Sequence, residues 1–319
     1  MKILIAGGAG YIGSVLVPKL LERGYDVDVL DLLWFGNYLP DRVKVIHKDV
    51  FEVNENDLGK YDQVIFLAGL SNDPMAEYSP AKNFVDNGSA PTYLAYIAKK
   101  AGVNRFIHGG SCSVYGYTIN EFYDETAPTI SSYPYGISKL QGEFGSLRMH
   151  DDSFSVIALR QGTVSGYSPR MRLDLVVNTM FKCAMADGMI TVSNPAIWRP
   201  ILSIHDAASA YIRAIEANSN VSGVFNVTSG NYTVGEIADH VSEGITEYLD
   251  VHPKININHI EDYRNYKVSI KKANEILSFK PRFTVIDIVK NLSQNIDNFK
   301  DFDNPKYYNI QTFKEIHVS

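Results

Sequence analysis

Cysteine, long apolar runs and clusters of basic residues are scarce in this chain of 319 residues, and each scarcity excludes a class of protein. The two cysteines, Cys112 and Cys183, form no CxxC pair, which argues against a metal site or a disulfide framework and suits a reducing compartment. With a net charge of −6 and no long run of Lys and Arg, the chain lacks the basic face that nucleic acids require. The apolar start at 1–6 is too short for a signal peptide, and no run reaches membrane-spanning length. We therefore expect a cytoplasmic protein that binds neither nucleic acid nor a membrane.

Short apolar runs alternate with helical patterns through the first half of the chain. The run Lys2–Ala6 reads KILIA, and a β-branched apolar run bounded by glycine is typical of a strand buried on both faces. The same reasoning predicts helices at 11–23, 81–100 and 135–150, and further strands at 27–31, 43–46, 63–67, 105–109 and 155–159. Regular alternation of strand and helix predicts a parallel sheet covered on both faces. The predicted fold class is therefore α/β, with a Rossmann-type doubly wound parallel sheet.

The rhythm changes after Gly166, where short mixed elements and scattered prolines replace the alternation. We expect a nucleotide-binding domain over 1–166, with return segments near 200–228 such as 223–227. A smaller, mixed α/β domain over 167–319 is expected to close over the carboxyl ends of the strands, where open α/β sheets bind ligands. The tail beyond about residue 291 shows no clear periodicity, so its sequence indicates no role.

Three glycines, Gly7, Gly10 and Gly13, stand between the first strand and the first helix. The first permits a tight turn, the second a close approach of backbone to a pyrophosphate, and the third close packing of helix on strand. Any tight strand-to-helix turn can use glycine, so the flanking strand and helix are needed to support this interpretation. Asp31 follows the second strand, where an acid accepts hydrogen bonds from an adenosine ribose, and no Arg or Lys follows before Arg42. This pattern favours NAD over NADP; the alternative for Asp31 is a strand-end cap.

Four Tyr-xxx-Lys pairs occur, so the motif alone decides nothing: Tyr78/Lys82, Tyr96/Lys100, Tyr135/Lys139 and Tyr263/Lys267. Only Tyr135 lies at the head of a predicted helix shortly after a strand that ends in a hydroxyl-rich loop. Residues four apart share a helix face, so Lys139 and the phenol can point at the same sheet edge. A nearby ammonium and a positive nicotinamide ring favour phenolate and lower the pKa of the phenol. Ser111, with Ser113 as its competitor, would bind the same substrate oxygen. An exposed helical pair is the alternative.

These motifs resemble the extended short-chain dehydrogenase/reductase family, and the resemblance continues past the glycines. It implies an acid near the adenine at Asp49 with Val50, a strand-four segment at 67–70, and an asparagine at Asn87. The family's spacing from the segment 114–116 selects Ser111 rather than Ser113 as the serine. The implied NAD-binding residues are Gly7, Gly10, Tyr11, Ile12, Gly13, Asp31, Asp49, Val50, Leu67, Ala68, Gly69, Asn87, Tyr135 and Lys139.

The second half is similar to the nucleotide-sugar branch of this family. There the two arginines that match Arg199 and Arg264 clasp the diphosphate of the sugar nucleotide, which suits the planar guanidinium fork. The segment 166–178 is similar to one in GDP-manno-heptose 4-dehydrogenases, and Thr163 departs from the Asn that hexose 4-epimerases commonly carry. The implied substrate-binding residues are Ser111, Ser113, Thr163, Asn178, Arg199 and Arg264. The resemblance also implies a homodimer formed through the helices 81–100 and 135–150.

Our mechanistic hypothesis is that Tyr135 takes the proton of the sugar 4-hydroxyl while C4 gives a hydride to NAD. If the ketone turns over and is reduced on its other face, the enzyme is a 4-epimerase, which we rank first. If the ketone leaves, the enzyme is a nucleotide-sugar 4-dehydrogenase, and a non-catalytic dinucleotide-binding protein is a third possibility. A dehydratase is disfavoured, because Cys112 and Ser113 stand where the family's dehydratases carry an Asp-Glu pair.

Overall fold

The computed structural model describes residues 1–258 and 265–318, without the side chains of 117–121, 317 and 318. In these residues the strands are β1 (Lys2–Ala6), β2 (Asp26–Leu30), β3 (Lys44–Ile46), β4 (Gln63–Phe66), β5 (Arg105–Ser111), β6 (Tyr117–Tyr123), β7 (Ser155–Gln161), β8 (Thr163–Ser165), β9 (Met189–Ser193), β10 (Trp198–Ser203), β11 (Gly223–Val227), β12 (Gly230–Thr233), β13 (Lys254–Asn258) and β14 (Asn265–Val268). The helices are α1 (Gly13–Glu22), α2 (Glu55–Leu58), α3 (Asp73–Tyr78), α4 (Pro80–Phe84), α5 (Ala90–Lys100), α6 (Pro134–Leu147), α7 (Val176–Asp187), α8 (Ile204–Glu216), α9 (Val234–Leu249), α10 (Lys271–Leu277), α11 (Val285–Gln294) and α12 (Asn309–Val318).

A parallel sheet forms the centre of the protein, with the strand order β3-β2-β1-β4-β5-β7-β11. This order confirms the predicted doubly wound, Rossmann-type sheet. The chain winds outward from β1 through β2 to β3 and then returns to place β4 on the other side of β1. The connections that leave β1 and β4 therefore part in opposite directions, which opens a crevice at the carboxyl ends of these two strands.

The first strand-turn-helix unit forms where the sequence predicts it. Strand β1 has the predicted bounds, and α1 packs Leu16, Val17 and Leu20, which are fully buried, against the sheet. Gly24 follows the end of the helix, and its φ of 79° lies in the left-handed region that glycine adopts without strain. The turn before α1 is thus fixed between a buried strand and a buried helix face.

The helix predicted at 81–100 is interrupted in the structure. Helices α4 and α5 are joined by a π-helical turn at Val85–Ser89. Pro91 has no backbone N–H to donate to the carbonyl of Asn87, which accounts for the irregular turn at this point. Helix α6 packs closely against this π-helical turn. The closeness is shown at Gly142, where a Cβ would lie only 2.1 Å from the Asn87 carbonyl oxygen.

The second half of the chain builds its own core and also returns to the large sheet. Helices α7, α9 and α11 enclose a second buried cluster around Phe181, Ile237 and Val289. Strand β11 pairs with β7 at the edge of the large sheet, and α8 places Tyr211 in the same core as β1. The expected domain boundary at residue 166 stays a prediction.

The tail beyond residue 291 contains the end of α11 and, after two short 3₁₀ turns, α12. Phe313 of α12 is fully buried against Leu70 and Met75, and its ring centroid lies 5.7 Å from that of Trp34. One deeply buried aromatic in a ten-residue helix leaves little periodicity to detect, so the sequence did not predict this element. Across the part of the chain that is described, no helix has the length and apolar character needed to cross a membrane.

Replacing Gly13 by Ala tests the packing of the first turn. The new methyl group would lie 2.1 Å from the Gly8 carbonyl oxygen, so the turn must open. We expect a loss of about 1–3 kcal/mol in the free energy of unfolding and weaker NAD binding, measured by urea denaturation and by titration. Gly59→Ala is the control, because its Cβ would lie at ordinary contact distance from the carbonyl oxygens of Ala101, at 3.6 Å, and Glu55, at 3.9 Å, and its φ of −60° suits alanine. An unchanged NAD affinity in the Gly13 variant would contradict this account.

Candidate active site

A cavity of about 320 Å³ opens at the carboxyl ends of the central strands. It brings together the glycine turn after β1, the segment after β4, the end of β5 and the start of α6, although these lie far apart in the sequence. The residues predicted from the sequence that line it are Gly7, Gly10, Tyr11, Ile12, Leu67, Ala68, Gly69, Ser111, Ser113, Tyr135, Lys139, Thr163 and Arg199.

A second cavity of about 130 Å³ adjoins the first along the strand ends. Glycine-turn and strand-four residues line both cavities, so the two form one crevice at the point where the sheet order reverses. The predicted residues in the second cavity are Gly7, Gly10, Asp31, Asp49, Val50, Leu67, Ala68 and Gly69. An elongated crevice with two compartments suits the two halves of a dinucleotide.

The glycine turn fits a phosphate group. Gly7 has a φ of 77°, and a Cβ at this position would lie 2.4 Å from the Ala68 nitrogen, so only glycine allows β1 and β4 to approach this closely. No side chain caps the first turn of α1, and the N–H groups of Ser14 and Val15 donate to the carbonyls of Gly10 and Ile12. The helix dipole and the backbone of the glycine turn favour an anion in front of α1.

Asp31 stabilises its own loop and also faces the second cavity. Its carboxylate accepts hydrogen bonds from the backbone N–H groups of Ala9, at 2.9 Å, and Leu33, at 2.8 Å. Burial raises the pKa of this carboxyl above its usual value, and the two backbone hydrogen bonds oppose the shift. Each oxygen has a second lone-pair site that a ribose hydroxyl can use. The cap and the ligand contact are therefore compatible.

Ser111, Tyr135 and Lys139 face the larger cavity from two neighbouring elements. Ser111 ends β5, and its Oγ accepts a hydrogen bond from the Ser113 backbone N–H at 3.1 Å. Tyr135 lies in the first turn of α6 and lines the same cavity as Ser111. Lys139 follows one turn later and is 6% exposed. The pairs Tyr78/Lys82 and Tyr96/Lys100 do not line this cavity, and Tyr263 lies outside the described residues.

Burial controls the protonation of this pair. It raises the pKa of Tyr135 to about 12, and Asp73 adds to the shift, while the Ser111 hydroxyl and Arg172 oppose it. Burial lowers the pKa of Lys139 to about 8, and the nearby carboxylate of Glu143 opposes this. The sequence predicts a lowered pKa for the phenol, whereas desolvation is the dominant influence in the folded chain. The positive nicotinamide ring of a bound NAD acts in the direction that the sequence predicts.

Asn87 and Asn178 lie behind the cavity rather than in its wall. The Asn87 Nδ2 donates to the Leu70 carbonyl at 2.9 Å and to the Ser138 Oγ at 3.2 Å, which ties the π-helical turn to α6. Asn178 is fully buried, and its Nδ2 donates to the carbonyl of Arg172 at 2.8 Å. The Nδ2 donors of both residues are used inside the protein, so both position their neighbours, whereas the Asn87 Oδ1 has no hydrogen-bond partner among the described residues. Arg264 lies outside the described residues.

Several cavity residues were not predicted from the sequence. Arg170, Arg172 and Asp174 come from the segment between β8 and α7, and Arg172 donates to the Asp174 carboxylate at 2.8 and 3.1 Å. Asn309, the first residue of α12, lines the same cavity. The similarity of 166–178 to a dehydrogenase segment drew attention to the arginines without assigning them a role. No signal in the sequence links Asn309 to them.

A family model for the NAD dependent epimerase/dehydratase family matches residues 3–228, which is more than half of the chain. The chain belongs to this family. The assignment confirms the resemblance inferred from the sequence, and NAD is the cofactor of this enzyme. The match covers the glycine turn, the Tyr135/Lys139 pair and the return of β11 to the sheet.

Relatives from the family match the chain over most of its length. UDP-glucuronic acid decarboxylase 3 of Arabidopsis thaliana is 27% identical over 299 residues, covering 88% of this chain and 85% of the relative. UDP-glucose 4-epimerase of Corynebacterium glutamicum is 27% identical over 309 residues, covering 89% and 92%. Among solved structures, the UDP-glucose 4-epimerase of Thermotoga maritima with UDP-glucose has a TM-score of 0.81 and 25% identity, covering 95% of this chain and 100% of its own. The UDP-glucuronic acid 4-epimerase of Bacillus cereus, in complex with UDP-glucuronic acid and NAD, shares the fold with a TM-score of 0.81, 24% identity, and coverage of 93% and 99%.

The pH dependence of turnover by this family member tests the assistance that Lys139 gives to Tyr135. We expect kcat/KM to rise with pH, because the phenolate is the reactive form of the base. Lys139→Met should move this rise to higher pH by about 1–3 units, since a cation that favours phenolate is removed.

The matched control is Lys100→Met, which alters an exposed Tyr-xxx-Lys pair whose lysine contacts Glu55. Its profile should coincide with that of the unmodified enzyme. A profile for Lys139→Met that does not move, or moves to lower pH, would remove Lys139 from this role.

Proposed function

We propose that this enzyme is a nucleotide-sugar 4-epimerase that oxidises the C4 hydroxyl to a transient ketone and then reduces the ketone on its opposite face. One observation carries the proposal: Ser111, Tyr135 and Lys139 face a single cavity beside the glycine turn. A base and a hydrogen-bonding hydroxyl directed at one substrate oxygen are what reversible oxidation of an alcohol requires.

The proposed roles follow from these positions. Tyr135 accepts the proton of the 4-hydroxyl as the ketone forms and returns it when the alcohol forms again. Ser111 donates a hydrogen bond to the same oxygen and stabilises charge that develops on it. NAD, when bound, takes up the hydrogen on C4 with its two electrons and gives them back, so the complete cycle has no net oxidation. Lys139 favours the phenolate and lies within reach of the nicotinamide ribose in the proposed pose.

The cofactor would lie along the crevice, with its adenosine in the smaller cavity. Asp31 accepts hydrogen bonds from the adenosine ribose, and Asp49 and Val50 lie beside the adenine in this proposal. Asn87 supports the site indirectly, because its hydrogen bond to Ser138 fixes the start of α6. The diphosphate meets the backbone of the glycine turn.

The substrate would occupy the outer part of the larger cavity. Arg199 of β10 lines this part beside Tyr266, whose ring centroid lies 5.8 Å from the guanidinium carbon. A guanidinium group can form two parallel hydrogen bonds with phosphate oxygens, so we assign Arg199 to the sugar-nucleotide diphosphate. Ser113 and Thr163 would contact the sugar. Curated relatives named for UDP-sugars support uridine as the first base to test.

The loop beside Ser111 supports epimerisation rather than elimination of water. Cys112 is 1% exposed, and its thiol donates to the Arg160 carbonyl oxygen at 3.2 Å. Burial raises the pKa of this thiol well above its usual value, so it does not supply a base at neutral pH. Ser113 faces the cavity but is no substitute for a carboxylate. The loop therefore lacks the acid and base pair that elimination across two carbons needs.

Incubation with a panel of UDP-, GDP-, dTDP- and CDP-sugars tests the proposal. We expect one sugar nucleotide to be converted to its C4 epimer, detected by NMR, with no net formation of NADH at 340 nm. Accumulation of NADH and a released ketone would instead identify a 4-dehydrogenase. Tight NAD binding without any conversion would indicate a non-catalytic dinucleotide-binding protein.

Tyr135→Phe separates turnover from cofactor binding. The variant should lose at least about two orders of magnitude in kcat, because general base catalysis contributes about 10²–10⁴ to the rate. It should keep its affinity for NAD, measured by titration, because the glycine turn is unaltered. Tyr96→Phe, in an exposed pair on α5, is the control and should keep full activity. Undiminished turnover in Tyr135→Phe would exclude the proposed base.

We also propose that the protein forms a homodimer through α5 and α6. These helices pack closely together, and each leaves large apolar side chains in solvent: Tyr96 is 45%, Ile137 40% and Phe144 54% exposed. Large apolar side chains exposed on two adjacent helices are suited to an isologous contact with a second copy of this chain.

Phe144→Asp should convert the dimer to a monomer in sedimentation velocity, because it places a charge at the centre of this face. Ile257→Asp is the control, since Ile257 is 55% exposed on β13, away from these helices. A monomeric unmodified protein, or a dimer that survives Phe144→Asp, would overturn the proposed interface.

A further inference from the structure

The C-terminal helix contacts both cavities of the crevice. At its first residue, the Asn309 Oδ1 accepts a hydrogen bond from the Arg170 guanidinium, and its Nδ2 donates to the Ser71 Oγ at 2.5 Å. These three residues line the larger cavity. One turn later, Phe313 packs against Trp34, which lines the smaller cavity. Helix α12 thus spans the junction of the two compartments.

Arg170 is a buried cation with little to neutralise it. It is 2% exposed, its guanidinium carbon lies 3.7 Å from the centroid of the Phe35 ring, and its Nη1 reaches only the Met171 carbonyl at 3.4 Å. Among the described residues, its Nε has no hydrogen-bond partner. Asn309 supplies a neutral oxygen rather than a carboxylate. The carboxylate of Asp174 acts electrostatically on the Arg170 guanidinium, but this carboxylate is paired with Arg172.

The environment therefore favours an anionic ligand. Burial, with Arg172 as a second cause, lowers the pKa of Arg170 to about 9. Burial of a charge without a counter-ion is costly, and an unused N–H donor adds to the cost. A phosphate oxygen would satisfy both the charge and the free Nε, because a guanidinium group binds phosphates through several donors.

Two ligands that carry phosphate, NAD and a nucleotide sugar, are candidates for this contact, and the position of Arg170 favours NAD. The Phe35 ring beneath the guanidinium lines both cavities, as do Gly7 and Gly10 of the glycine turn. The charge of Arg170 also acts on the Asp31 carboxyl, which lies in the smaller cavity. Arg199, in contrast, lies beside Tyr266. The junction of the cavities is where the diphosphate of a dinucleotide that spans them must lie.

We propose that Arg170 binds the diphosphate of NAD opposite the glycine turn, and that Asn309 is the positioning residue that holds its guanidinium there. Helix α12 then regulates how long the cofactor stays bound. The proposal rests on NAD as the cofactor and is independent of whether the sugar product is an epimer or a ketone.

Binding measurements on Arg170→Met test the cation directly, because methionine keeps an unbranched chain over Phe35 and removes the charge. We expect affinities for NAD and for ADP-ribose to fall about tenfold to a hundredfold, as for loss of a hydrogen bond to a charged group. Binding of adenosine, which has no phosphate, and of UDP should not change. Arg213→Met on the exposed face of α8 is the matched control and should bind all four ligands normally.

The pattern across the four ligands decides the assignment. Weaker UDP binding with normal NAD binding would show that Arg170 serves the sugar nucleotide and would overturn the proposal, as would unchanged affinity for every ligand. Thermal melting without ligand monitors the fold. If the methionine variant unfolds, Arg170→Lys replaces it, and its NAD affinity should also decrease because the planar fork is lost.

Asn309→Asp tests the positioning role. A carboxylate at this position would pair with Arg170 and compete with the diphosphate, so NADH dissociation, followed by its fluorescence in stopped flow, should be at least severalfold faster. Asn309→Ala should accelerate it less, because the guanidinium keeps its full charge. Gln311→Asp, on the exposed side of the same helix, adds the same charge and should have no effect. Dissociation as slow in Asn309→Asp as in the control would refute the role of Asn309.

Discussion

The close approach of β1 and β4 at their carboxyl ends is the constraint on which the rest of the site depends. At Gly7 a single Cβ would lie 2.4 Å from the Ala68 nitrogen, so the two strand ends can meet only through glycine. The turn that follows directs α1 into the crevice with its first turn uncapped. Because the sheet order reverses here, the connections part and leave room for a ligand that spans both sides. The proposed NAD pose therefore places the cofactor against backbone, whose position is fixed by strand pairing.

Desolvation is the second theme of the structure. The ammonium of Lys139 and the guanidinium of Arg170 are buried and the phenol of Tyr135 is partly buried, and desolvation is the largest influence on the pKa of each. Desolvation disfavours the charged form of each group, and a ligand of opposite charge offsets this cost. A positive ring favours phenolate, and a diphosphate favours the two cations. Binding and activation are coupled by the same physical cause, since the ligand supplies charges that the buried site lacks.

The second half of the chain completes the site with long-range contacts. The turn residue Tyr11 donates from its hydroxyl to the Gly166 carbonyl at 2.5 Å, which joins the glycine turn to the segment after β8. That segment carries Arg170 and Arg172 into the cavity, and α12 returns from the end of the chain to contact Arg170 through Asn309. The segment that carries these arginines packs through Met171 and Leu173 into the second core around Phe181.

Local patterns in the sequence determined β1, the glycine turn, the parallel sheet and the choice of Tyr135 with Lys139, because strand burial, glycine spacing and helical periodicity are short-range properties. These local patterns could not reveal the π-helical turn at Asn87, which depends on the packing of α6. They also could not reveal that Asn178 is buried behind the cavity wall. The meeting of Arg170 with Asn309, 139 residues apart, was decided only by tertiary structure. Neither residue carries a periodic or spacing signal, since a buried cation acquires its need for an anion only when folding removes it from water.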